Sequence, residues 1–308
     1  MLPPRLFTGQ FGDFEFRLLR IFRTVVDCGG FSLAEVELGM SKSAISKKMS
    51  DLEERLGLHL CDRGRSGFSL TEEGMAVYSS SAKLLASIED FRADVNTLHE
   101  VVSGTLYLGF IDTIVTSKCE KLHDALREYS SHYPDVKLGL MTGSAAEINR
   151  SVQDRTIHLG VSTHNPDLEN VLSWPLFSED SYLYCGAGHP LFDNGAHATM
   201  EDLKRCRFVQ HGYSDTEQAS LSQIGARISA NAHFTEDVLF LVLTGNFLGF
   251  LPGHYAAALV DDGLIKPVMA DELVKQTEIE LIVNKLSMEN AMVARFVDIV
   301  ERATRAPA

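Results

Sequence analysis

Lys42, Ser43, Ser46 and Lys47 cluster in a segment whose apolar residues Ile45, Met49, Leu52 and Leu56 recur at i, i+4, i+7 and i+11. That spacing predicts a helix from about 42 to 56 with one narrow buried stripe. The cations and hydroxyls then share the opposite face, near the helix start, where Ser41 is placed to cap it. Lysine donates to guanine or to phosphate, serine pairs with either, and the major groove admits one helix whose first turns reach the base edges. Beyond the helix, Leu58–Arg63 and Phe68–Leu70 flank the turn Gly64-Arg65-Ser66-Gly67, which predicts a hairpin with Arg63 and Arg65 near its tip. Arginines there can sit on phosphates or in a minor groove. On pattern alone, the other reading is a solvated polar face on an ordinary three-helix core.

Three further elements must hold these residues in place. Phe14, Leu18, Leu19, Phe22, Val25 and Val26 make a helical stripe that Gly29-Gly30 ends. Ser32 is a suitable cap for a second helix, Leu33 to Leu38, closed by Gly39. Thr71 caps a long helix reaching about residue 100. In it Val77, Leu84, Phe91 and Leu98 recur every seven residues, with Ser81, Ile88 and Val95 between them. Alternating steps of four and three make a coiled-coil seam, so Val77, Leu84, Ile88, Phe91, Val95 and Leu98 are the expected dimerisation residues. Packing of this helix along its own body domain is the alternative.

The run from Gly29 to Gly74 resembles the winged helix-turn-helix of LysR-type transcriptional regulators. The resemblance rests on Phe31-Ser32, Ala34, Leu38-Gly39-Met40-Ser41, Ala44-Ile45-Ser46, Leu52-Glu53, Leu56-Gly57, Leu60 with Arg63, and Leu70-Thr71-Glu72-Glu73-Gly74. Ser43 stands where the family often has proline, and Cys61 where it usually has phenylalanine. The resemblance implies a DNA-binding regulator that reads an inverted-repeat operator on double-stranded DNA as a homodimer or homotetramer, with RNA polymerase as a partner. Its DNA contacts would be Ser32, Ser41, Lys42, Ser43, Ser46, Lys47, Arg63 and Arg65.

From residue 103 onward strands and helices alternate: strand at 106–111, helix at 116–133, strand at 136–141, helix at 144–153 and strand at 157–162. This rhythm restarts after Trp174-Pro175 and predicts parallel sheets with crossover helices. Looser matches to the same family (Tyr133-Pro134-Asp135-Val136, Gly188-His189-Pro190-Leu191, Gly249-Phe250-Leu251-Pro252) imply two Rossmann-like subdomains resembling periplasmic solute-binding proteins. The expected fold class is therefore α+β and multi-domain. A winged helix-turn-helix occupies 1–70, a linker helix 71–102 and an effector-binding domain 103–308. Within that domain one subdomain spans about 105–178 plus 280–304 and the other about 179–279.

Ligands of open α/β domains lie outside the carboxyl ends of the strands. The candidates there are Asp112, Thr113, Thr142, Gly143, Ser162, Thr163 and His164 in one half, and Gln210, His211, Phe234 and Thr235 in the other. By the resemblance Thr113 is the effector-contacting hydroxyl, which could steer a carboxylate toward backbone N–H groups. Asp112 beside it would repel an anion. The effector is then neutral or cationic, or Asp112 points away. Hydroxyls after strands also commonly just cap the next helix.

The formal net charge is −14, but its distribution matters: residues 1–70 hold ten Lys/Arg and nine Asp/Glu, against 18 and 33 in the rest. A near-neutral head on an acidic body can bind DNA if its cations share a face. The five cysteines are scattered, with no C-x-x-C, which argues against a disulfide framework or zinc ribbon and for a reducing cytoplasm. The N-terminus has no signal-peptide pattern. Residues 238–260 read as buried helix, turn and strand rather than a membrane span, because glycines, Asn246, Pro252 and His254 interrupt them. No nucleotide, metal or nucleophile motif is present, so neither catalysis nor a cofactor is expected. A second reading keeps the same head but senses oxidation through Cys206, whose neighbours Arg205 and Arg207 would lower its pKa.

Overall fold

The computed structural model describes residues 11–64, 67–97, 102–117, 119–211, 221–222 and 224–305. The chain forms two compact units, Met1–Ile88 and Glu89–Ala308.

In the first unit, α1 (Asp13–Asp27), α2 (Phe31–Leu38) and α3 (Lys42–Leu56) pack around Leu18, Phe22, Val25, Ala34, Ile45, Met49 and Leu52, all buried. Gly39 and Gly57 end α2 and α3 in the left-handed conformation that glycine adopts without steric cost. Strands β1 (Cys61–Gly64) and β2 (Gly67–Leu70) pair antiparallel, Cys61 opposite Leu70, and form the wing. Cys61, in place of the larger residue usual there, is fully buried in this core.

The long helix α4 (Glu72–Thr97) starts at Thr71, whose Oγ1 accepts from the Gly74 amide at 2.9 Å and donates to the His59 carbonyl at 2.6 Å. A Cβ at Gly74 would lie 1.9 Å from the Leu60 carbonyl oxygen, so only glycine lets the helix start against the wing. Ser32 is not a cap. Gly30 (φ 143°) takes that position, and helix α2 starts at Phe31. The reason is packing: Phe31 turns inward, 8% exposed, with its ring 5.9 Å from that of Phe68.

The second unit is built on one nine-stranded sheet ordered β4-β3-β5-β11-β6-β9-β7-β8, with β10 also on β6. Its first half comprises β3 (Gly104–Ile111), α5 (Glu120–His132), β4 (Val136–Gly143), α6 (Ala145–Gln153) and β5 (Leu159–Thr163). The strand β6 (Val171–Gly186) then crosses to the second half: α7 (Met200–Lys204), β7 (Arg207–His211), β8 (Arg227–Ala232), α8 (Thr235–Leu243), β9 (Leu248–Pro252), α9 (Gly253–Asp261) and β10 (Ile265–Pro267). Strand β11 (Val274–Asn284) returns antiparallel along β6, and α10 (Ala291–Arg305) closes the first half. The β6–β11 ribbon carries a bulge between Ile279 and Glu280, opposite Phe177 and Pro175, where it passes from one half to the other.

Pattern reading departs from this architecture in identifiable places. The single helix expected over Thr116–Tyr133 is a 3-10 turn, Ile114–Thr116, followed by α5. Thr113 enters that turn at φ 64°, and buried Ser117 closes it by donating to the Ile114 carbonyl at 2.7 Å. Strand β6 runs through Pro175 for 16 residues because its first half is held by pairing to β11. Strands β8 and β10 and helix α9 are short elements completed by their sheet and helix neighbours. Among the described residues no helix is long and apolar enough to cross a membrane.

Candidate functional site

In the head, Ser41 caps α3 by accepting from the Ala44 amide at 3.3 Å, and its hydroxyl lies 3.1 Å from that of Ser43. Ile45, Met49 and Leu52 hold the inner face of the helix, which leaves Lys42, Ser43 and Lys47 exposed and Ser46 half-buried on the outer face. Lys42 Nζ reaches Ser32 Oγ at 3.2 Å, so the first turns of α2 and α3 share one polar surface. Lys48, one residue on, is engaged elsewhere: it lies 4.7 Å over the Phe14 ring and 3.9 Å from Asp51. At the far end of α3, Arg55 pairs with Glu15, and its guanidinium also lies 4.6 Å over Phe14. The Gly12 amide, donating at 2.9 Å, is the main cause that holds the Glu15 carboxyl below its usual range. Arg63 sits on β1 opposite Phe68, while Arg65 lies outside the described residues.

Along α4, Val77 packs against the head core and Ile88 is half-buried, whereas Leu84, Phe91 and Val95 are exposed, Phe91 by 67%. Leu98 lies outside the described residues. A groove of about 350 Å³ lined by Phe11, Leu19, Leu56, Leu58, Val77 and Leu84 opens beside this helix.

In the second unit, contacts tie the two halves of the sheet across the line where β6 and β11 cross. Asp112, just past β3, accepts from the Thr235 amide at the start of α8 at 2.5 Å. His254, at the start of α9, approaches Thr116 Oγ1 at 3.1 Å and Glu179 Oε2 at 2.7 Å; both ionisable side chains are nearly buried. His233 stands 3.7 Å from Glu147, each about half exposed. Helix α6 can deliver Glu147 because it lies close on the sheet: a Cβ at Gly160 would come within 2.7 Å of Ile148. Glu147 also closes the first turn of α6, accepting from the Ser144 amide (2.8 Å) and hydroxyl (2.9 Å); these contacts hold its pKa below the usual carboxylate range. Asp237 does the same for α8, accepting from the amides of His233 (3.3 Å) and Phe234 (3.0 Å).

The remaining sequence candidates surround this junction unequally. Thr142 is exposed and Gly143 buried beneath Glu147. Ser162 is fully buried, Thr163 half-buried, and His164 exposed with its Nδ1 2.9 Å from Glu280. Gln210, His211 and Phe234 are half-buried in the other half. Pattern reading missed Thr116, Glu147, Glu179, His233, His254 and Glu280. Only Glu147 carried a signal, the capping-box spacing Ser144-x-x-Glu147.

Cys206 differs from expectation. Burial, with Asp202 adding to it, raises the Cys206 pKa, and its Sγ donates to the Asp202 carbonyl at 3.3 Å; the flanking arginines do not lower it. Burial pushes Cys185 and Cys119 up to about 11. Among the described residues no group of three or more His, Cys, Asp or Glu is placed to hold a metal.

Residues 16–75 match the model of the bacterial regulatory helix-turn-helix protein, lysR family, and residues 99–305 match that of the LysR substrate binding domain. The chain belongs to the LysR family. It is a DNA-binding transcription regulator with a winged head and an effector-binding domain. Similar proteins include the HTH-type transcriptional activator BauR of Pseudomonas aeruginosa, 39% identical over 293 residues, covering 95% of this chain and 96% of that one. The regulator CrgA of Neisseria meningitidis is 25% identical over 266 residues, 84% of this chain and 86% of its own. In fold, this LysR-family chain resembles full-length CbnR bound to its target DNA, with a TM-score of 0.65 at 21% identity, covering 94% of this chain and all of CbnR.

Proposed function

We propose that this LysR-family regulator reads double-stranded operator DNA through the shared α2–α3 surface and that a small effector, bound between the halves of the second unit, controls that reading. Ser32, Ser41, Lys42, Ser43, Ser46 and Lys47 contact DNA, with Arg63 and Arg65 on the wing at phosphates or a minor groove. The exposed Lys47 and the Lys42–Ser32 contact support this assignment, because they leave donors on one solvent face of a helix short enough for the major groove.

The effector reading is carried by the Asp112–Thr235 contact, which links the halves through a single side chain that a ligand could displace. Asp112, Thr113, Thr142, Gly143, Ser162, Thr163, His164, Gln210, His211, Phe234 and Thr235 line the region a ligand would enter. An effector shifts the equilibrium between two arrangements of the halves only by its difference in affinity for them, typically 1–3 kcal/mol. The domain limits are 1–70, 71–102 and 103–308.

The chain acts in the cytoplasm, without catalysis, as a homodimer or a dimer of dimers on an inverted repeat, where it engages RNA polymerase. Dimerisation runs through the seam Val77, Leu84, Ile88, Phe91, Val95 and Leu98, of which Leu84, Phe91 and Val95 are exposed along one helix. The test is Lys47→Ala in the full chain. Operator affinity should fall about tenfold, the salt slope of binding should drop by about one, and dimerisation should be unchanged. Unchanged affinity at fixed salt would remove α3 from the reading role.

A further inference from the structure

The cleft's polar groups restrict what the effector can be. Free N–H groups at helix starts are the usual recognition devices for carboxylates and phosphates. Here two of the helix starts at the junction, those of α6 and α8, are already served by the protein's own anions. Asp237 and Asp112 take the amides of His233, Phe234 and Thr235, and Glu147 takes that of Ser144. At those two starts an anionic effector would meet carboxylates where it needs donors.

A buried hydroxyl lies beside a buried carboxylate on the β5–β11 pairing. Ser162 and Glu280 face each other across the β5–β11 pairing, so their side chains project to the same face of the sheet, about 5 Å apart at Cβ. That is the α6 face, since neighbouring Ile282 packs with Ile148 and Val152 while Leu281 and Val283 pack on the other side. Ser162 is at 0% exposure, and its Oγ has no hydrogen-bond partner among the described residues. Glu280 is 7% exposed and sits at the bulge where the crossing strands change halves. Its Oε1 is met by His164, a side chain 54% exposed. A buried carboxylate calls for compensating donors, of which His164 meets one oxygen, and a buried hydroxyl without a partner calls for a polar one.

We propose that the effector carries an ammonium group, bound by the Glu280 carboxylate and the Ser162 hydroxyl at the floor of the cleft. This rests on the cleft reading above and names the chemistry of its ligand. An ammonium brings three donors and a positive charge. It therefore serves both groups at once.

The test uses the full chain and a panel of short linear amines, diamines and amino acids, set against the matching alcohols and carboxylic acids. Titration calorimetry, melting and hydrogen exchange at the Thr235 amide are read in parallel. Amine-bearing compounds should bind and raise the melting temperature, and the others should not. Glu280→Gln should weaken amine binding about tenfold or more, since a charged hydrogen bond is lost. Ser162→Ala should weaken it by a smaller factor, and the surface control Glu169→Gln should not. Because the panel is first read on the unaltered protein, a poorly folding variant does not blunt it.

Silence across the whole amine set counts against the proposal. Acids that bind while amines do not overturn the ammonium assignment but leave the cleft reading standing. A ligand of either class that changes operator affinity without altering exchange at Thr235 overturns the cleft reading itself.

Discussion

Replacing Asp112 by alanine removes the contact between β3 and the start of α8 and leaves the Thr235 amide open. The contact is a hydrogen bond from a helix-terminal N–H to a carboxylate at 2.5 Å. Hydrogen bonds to charged groups contribute about 1.5–3 kcal/mol, and a carboxylate at a helix N-terminus adds about 0.3–1 kcal/mol. Asp112 is half-buried, so solvent screens part of this, and a net cost of about 1–2 kcal/mol is expected. For a unit of this size that shifts the melting temperature down by about 2–8 °C. His233→Ala provides the contrast. Its partner Glu147 stands 3.7 Å away and both side chains are about half exposed, so the loss should stay within about 0.5 kcal/mol. Chemical denaturation of residues 89–308 within the full chain, followed by tryptophan fluorescence of Trp174, reads both variants. Equal midpoints for Asp112→Ala and wild type, or a larger loss from His233→Ala, would refute the idea that Asp112 fastens the halves together. Alanine at 112 should also raise exchange at the Thr235 amide.

Phe91→Asp places a charge on the exposed stripe of α4 and should turn dimer into monomer at micromolar concentration by sedimentation, with the head still folded. A dimer that persists would move the seam elsewhere. His189 is 5% exposed and accepts from the Leu191 amide at 3.2 Å, and burial lowers its pKa. The unfolded chain therefore takes up this proton first, and stability should fall as pH drops below about 6.5 toward the lowered value. A melting temperature independent of pH in that window, or a drop that His189→Asn does not reduce, would contradict it. Cys119 and Cys185, with pKa values raised to about 11, should resist alkylation at pH 8 until the chain unfolds. Cys206→Ser should respond normally to inducing conditions, and failure to respond would restore the redox reading.

Local signals in the sequence determined the head and the rhythm of the body. The stripe Ile45-Met49-Leu52, the cap Ser41 and the terminal glycines 39 and 57 each act within one or two turns of helix, so their physics is complete in a short window. Chain-distant pairing decided the rest. Strand β6 gains its first half only from β11, a hundred residues later, and Ser32 lost its capping role because Phe31 found Phe68 across the wing. The junction between the halves of the second unit was the least legible part. Asp112 meets Thr235 over 123 positions, and Glu280 meets His164 over 116. No spacing rule spans such separations, and whether a carboxylate repels a ligand or closes a helix start depends on which backbone amide the fold brings to it.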